Sequence, residues 1–155
     1  KMKNKVTFSE NQFDIFNEPE SDFYNRYVDC NKIPSTAGRY IRGNVCVTKN
    51  GLFNEVHAAL QFPYYCGNNW DAFSECLNDL EWFTDKNLII FISNIQNVLQ
   101  NEEATQFTIF IRILTDAINE FTAKETILKI VLHTTDVSQK IEGIKDIIAG
   151  LACKP

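Results

Sequence analysis

The chain has 155 residues, 45% hydrophobic and 23% charged, which is long enough to bury one core and too apolar for a disordered segment. Its formal charge of −5 excludes the basic footprint that nonspecific nucleic-acid binding needs, and suits a basic protein partner. Five cysteines without a CxxC pair or a secretory apolar stretch point to reduced thiols and a cytoplasmic location, and no apolar run nears the ~18 residues that cross a membrane.

Residues 1–38 read as an N-terminal extension. Positions 5–8 are compatible with a short strand. Phe13, Ile15 and Phe16 are apolar but carry no clear period, and Pro19 interrupts the chain just after them. Ser21 is placed to cap a short helix carrying Phe23, Tyr24, Tyr27 and Val28, and 31–38 reads as a loop. So many aromatics predict a segment packed on the domain as an extra layer; the alternative is that it widens a partner-binding surface.

The core domain is expected at 39–133. Residues 39–48 read as a strand broken at Gly43, with Val45 and Val47 alternating with Cys46 and Thr48. Helical spacing of Leu52, Phe53, Val56, Ala59 and Leu60 predicts a helix over 50–61, stopped at Phe62-Pro63. Gly67 reads as a joint, with Asn68 and Asn69 as caps for a helix beginning at Trp70. On that helix Trp70, Phe73, Cys76, Leu77 and Leu80 share one side, while Asp71, Glu75 and Asp79 share the other. The plain reading is a solvated face with Asp71 complementing the helix dipole.

The run NLIIFI at 87–92 suits a strand covered on both faces of a parallel sheet. Residues 93–99 read as a loop or short helix, and 101–123 as the longest helix. ILKIVLH at 127–133 is the next strand. Strands alternating with helices predict a small α/β sandwich with a mostly parallel, three-stranded sheet. A C-terminal extension, 134–155, holds an amphipathic helix over 137–151 that Gly143 and Gly150 weaken by about 1 kcal/mol each.

Catalytic chemistry finds little support. His57 sits on a helix face and His133 ends a strand, so nothing in the sequence pairs them. Cys66 precedes a helix N-terminus, which can lower a thiol pKa; a Cys66–His133 enzyme is conceivable but lacks a thiol-protease signature. No spacing of Cys and His fits a metal, no Gly-rich loop fits a phosphate, and no cofactor is implied. Asp71 and Glu75 on an open face have no means of separating their pKa values for acid–base work.

The stretch FPYYCGNNWDAFSECLNDLEW, 62–82, changes the odds. Phe62-Pro63, Tyr65, Gly67, Asn69-Trp70-Asp71-Ala72, Cys76-Leu77 and the ending Asp79-Leu80-Glu81-Trp82 resemble the barstar family, bacterial inhibitors of barnase-type ribonucleases. A weaker similarity runs from Tyr40-Ile41-Arg42-Gly43 to His133. The resemblance implies a barstar fold and a non-enzymatic immunity protein. Its partner would be a toxin nuclease, a ribonuclease with a basic active site. Tyr65 matches the loop tyrosine that packs on the nuclease, and Asp71 an aspartate of the binding helix. Glu75 stands where the family's dominant contact is an aspartate one methylene shorter. Glu120 aligns with an outlying glutamate. Asn69, Ser74 and Asp79 complete the expected partner-binding set.

Ser74 and Leu80 stand where the family has contact tryptophans. Tyr64, Trp82 or the N-terminal aromatics could take over that contact. Trp70 reads as core, and Trp82 as either core or surface. The departures keep a second reading open: a regulatory or protein-interaction domain that retains the fold without inhibiting a nuclease.

Overall fold

The computed structural model describes residues 13–136 and 139–152; the strand expected at 5–8 lies outside them. Its centre is a sheet of parallel strands: β1 (Phe13–Asn17), β2 (Thr36–Arg42), β3 (Asn87–Ser93) and β4 (Ile127–Thr134). Their order is β1-β4-β3-β2. β3 and β4 lie inside, which explains their unbroken apolar runs.

Among the described residues the sheet has four strands, not the three expected. The added strand is Phe13–Asn17, in register from Phe13 opposite Ile130 to Asn17 opposite Thr134. It completes the hydrogen bonding of β4, whose outer edge would otherwise expose unpaired backbone groups. The Lys129 Nζ–Asp14 Oδ2 contact of 2.7 Å joins the same two strands.

The expected strand at 39–48 begins and ends earlier, at Thr36 and Arg42. Gly43 starts a 3₁₀ turn, Gly43–Val45, where the chain passes so close to β3 that a Cβ would lie 1.9 Å from the Ser93 carbonyl oxygen. The alternation expected beyond it therefore fails: Val45 is 41% exposed and Cys46 is buried. Thr48 instead caps the next helix, its Oγ1 accepting from Gly51 N–H at 3.1 Å.

Alternating side chains divide the sheet between two layers. Leu88, Ile90, Ile92, Leu128, Ile130 and Leu132 face the main core, built with α2 (Lys49–Leu60), α3 (Trp70–Asp79), α4 (Ala104–Ala123) and α5 (Gln139–Ala152). Ile89, Phe91 and Val131 face the opposite layer, formed by α1 (Glu20–Cys30) through Phe23 and Cys30. Helix α1 thus covers the second sheet face. It begins behind Pro19 rather than at a Ser21 cap.

His133 ties this layer to the sheet end. Asn94 N–H donates to Nδ1 at 2.9 Å, so Nε2 carries the proton donated to the Glu18 carbonyl at 2.7 Å. The ring stacks on Phe23 with centroids 5.0 Å apart. Among the described residues no helix is long and apolar enough to cross a membrane.

Candidate functional site

Helix α3 and the turn before it form one built unit. α2 ends on Gln61 in the left-handed region (φ 54°), and Pro63 prevents any further helix. The Cys66 N–H then donates to the Pro63 carbonyl at 2.9 Å, closing a turn with Tyr64 and Tyr65 at its corner. Asn69 caps α3, its Oδ1 accepting from Ala72 N–H at 2.9 Å. Gly67, expected as a joint, has no positive φ. Its role is close approach, because a Cβ there would press on the Asn69 amide at 3.3 Å.

The inner side of α3 is buried as its period predicts, through Phe73, Cys76 and Leu77. Trp70 packs edge-on against Phe53 at 5.0 Å and Phe73 at 5.8 Å. Its indole N–H donates to Gln106 Oε1 on α4 at 2.8 Å, which fixes the rotation of α3. Leu80 ends the helix in the left-handed region (φ 44°) with only 2% of its surface exposed. That conformation costs a leucine roughly 1–2 kcal/mol, and burial of its side chain offsets the strain.

Asp71, Glu75 and Asp79 are all exposed on the outer side. Two helical turns separate the first from the last, a rise of about 12 Å. Among the described residues no hydrogen bond or ion pair engages these carboxylates. Lys124, the C-cap residue of α4, reaches α3, but its Nζ donates to the Asn78 carbonyl at 2.6 Å. It thereby complements the helix C-terminus. Glu120, one turn before Lys124, is exposed on α4. Ser74 is half-buried between the two faces of α3.

The structure therefore joins Tyr65, Asn69, Asp71, Ser74, Glu75 and Asp79 on one turn–helix unit, and sets Glu120 on the neighbouring helix. Two residues that the sequence does not single out also govern the site, Gln106 and Lys124. For Gln106 a signal exists: it is a polar residue one turn before Phe110, on the buried stripe of α4.

The aromatics sort clearly. Tyr64 is 99% exposed and Tyr65 68%, with rings 5.6 Å apart and nearly perpendicular at 79°. Trp82 is committed to the fold: its indole N–H donates to the Leu60 carbonyl at 2.8 Å, and its ring meets Phe62 and Phe83. Of the α1 aromatics, Phe23 and Tyr27 pack in the layer behind the sheet, and Tyr24, 48% exposed, lies beside Tyr27.

Cys66 does not meet His133. Its Sγ lies 3.9 Å from His57 Nε2 and donates to the Ala72 carbonyl at 3.6 Å. The thiol is not lowered by the helix N-terminus. Burial, then Cys76 and the charge of Glu75, push it up to about 12. Burial also lowers the His57 pKa, favouring neutral imidazole. Both shifts oppose a thiolate–imidazolium pair. Among the described residues no group of His, Cys, Asp and Glu could hold a metal.

The family model described as Barstar (barnase inhibitor) matches residues 36–133. The chain belongs to the barstar family. The barstar match opens on the first residue of β2 and closes within β4, so it contains α2, α3, α4 and the whole acidic face. β1, α1 and α5 lie outside the barstar match. No curated protein matches the chain.

Proposed function

We propose that the chain is an immunity protein that binds a toxin ribonuclease and blocks its basic active site, working in the cytoplasm and carrying out no chemistry itself. A ribonuclease cleft must attract a phosphodiester and is therefore lined with cations. Asp71, Glu75 and Asp79, exposed and unengaged by any cation among the described residues, are the observation that carries the reading. Their field would steer the encounter over roughly a Debye length, ~10 Å at 0.1 M salt, and speed association. Once docked, carboxylate–guanidinium hydrogen bonds would slow dissociation, provided desolvation leaves no charge without a partner. Tyr65 and Asn69 flank this row at its N-terminal end, and Glu120 extends it onto α4.

A second reading, a regulatory interaction domain, is favoured by one observation. Ser74 offers little contact area and Leu80 is turned inward, so neither position supplies an aromatic anchor. Titrating the purified chain into barnase and related microbial ribonucleases during RNA hydrolysis separates the two. Stoichiometric loss of ribonuclease activity supports inhibition; undiminished activity at excess chain across the panel supports the regulatory reading.

A further inference from the structure

We propose that Tyr64 is the aromatic anchor of this face, laying its ring over an arginine or lysine side chain at the rim of the bound nuclease's basic cleft. The inference rests on the inhibitor reading and adds to it a residue outside the acidic row. A tyrosine that is 99% exposed contributes almost nothing to the chain's own core, so its ring area is wholly available to a partner.

The position is held rather than loose. Tyr64 and Tyr65 are the corner residues of the turn closed by Cys66 N–H and the Pro63 carbonyl at 2.9 Å. On one side Phe62 is packed against Phe73 and Trp82, with centroids at 5.8 and 6.1 Å. On the other, the Cys66 thiol is fastened to the Ala72 carbonyl inside α3 at 3.6 Å. The Tyr65 ring lies beside that of Tyr64, with centroids 5.6 Å apart. Little backbone ordering remains to be done on binding, which leaves only the two side-chain torsions of the ring to be fixed.

Charge complementarity decides what meets the ring. The turn leads straight into the acidic row that begins at Asp71, so a surface that neutralises the row carries cations around it. The negative face of a phenol ring attracts such a cation. Of the alternatives raised by the sequence, Trp82 is spent on Leu60, Phe23 and Tyr27 pack behind the sheet, and the 48% exposed Tyr24 lies beside Tyr27 and Tyr40 on that same layer, away from α3.

The test uses barnase and related ribonucleases, each inactivated at its catalytic histidine, with association and dissociation rates measured for the full chain and its Y64A, Y64F and D71A variants. The expected result is a roughly tenfold or greater rise in dissociation rate for Y64A. Its association rate and salt dependence should stay unchanged, and Y64F should remain within about twofold of wild type, because the ring face rather than the hydroxyl makes the contact. Wild-type dissociation from Y64A alongside weakened D71A overturns the Tyr64 inference and leaves the inhibitor reading standing. Wild-type binding by both variants, or no binding of any ribonuclease by the unmutated chain, overturns both.

Discussion

Lys129 on β4 has no exposed side-chain surface, and its Nζ lies 2.7 Å from the carboxylate of Asp14 on β1, which is 30% exposed. A buried ammonium holds the outermost strand to the sheet from the inside. Removing the carboxylate takes a short ionic contact away from a buried ammonium, which is costlier than replacing the ammonium by an apolar chain of similar length. Asp14→Ala should therefore lower stability by up to about 3 kcal/mol, and Lys129→Met by clearly less. Urea unfolding of both variants checks the order; equal losses would show that the contact does not anchor β1.

Lys140 roots α5 against the domain. Its Nζ donates to the Gln96 carbonyl at 3.1 Å and the Val98 carbonyl at 2.5 Å, and lies 4.2 Å from the Phe107 ring centre. Burial nevertheless lowers its pKa from 10.5 to about 8. The sign comes from linkage: between about 8 and 10.5 the unfolded chain binds more protons than the folded one, so this group makes stability rise with pH there. Below that window the burial of charge is a full penalty; above it the penalty is gone. Wild type should gain stability relative to Lys140→Met as pH increases from 7.5 to about 9.5, measured by denaturant midpoints at each pH. A difference that stays flat would contradict the burial of the ammonium.

Cys66 should behave as a slow thiol despite its place in a turn just before a helix N-terminus. With its pKa raised to about 12 by burial and by Cys76, almost none of it is thiolate at pH 8. Iodoacetamide at that pH should modify native Cys66 at least about tenfold more slowly than the same residue in urea, by peptide mass spectrometry. Fast modification in the native chain would revive the nucleophile reading of this loop.

What was legible in the sequence was local. α3 carries its period and its Asn69 cap, and the Pro63 that stops α2 lies just before it; all of this holds in the structure. NLIIFI announced a strand covered on both faces, and α1 supplies the second cover. β1 was not legible. FDIFN is short and half polar, and a parallel partner far along the chain leaves no turn signal beside it. The end of β2 was misplaced because only the approach of Ser93, a tertiary contact, dictates where Gly43 turns. Within the site the acidic row could be read from spacing, but the exposure of Tyr64 could not. An aromatic between Phe62 and Tyr65 reads alike whether it is core or surface.

The acidic face itself is tested most directly by stopped-flow association of the chain with an inactivated barnase-type ribonuclease that it inhibits, across 25–500 mM salt, for wild type and the D71N/E75Q variant. Both substitutions remove charge and nearly conserve shape. The expected result is a wild-type association rate that falls steeply with salt, and a variant rate that is lower by about tenfold at low salt and markedly flatter. Equal rates and equal salt slopes for the two proteins would contradict the claim that this helix presents its carboxylates to a basic cleft.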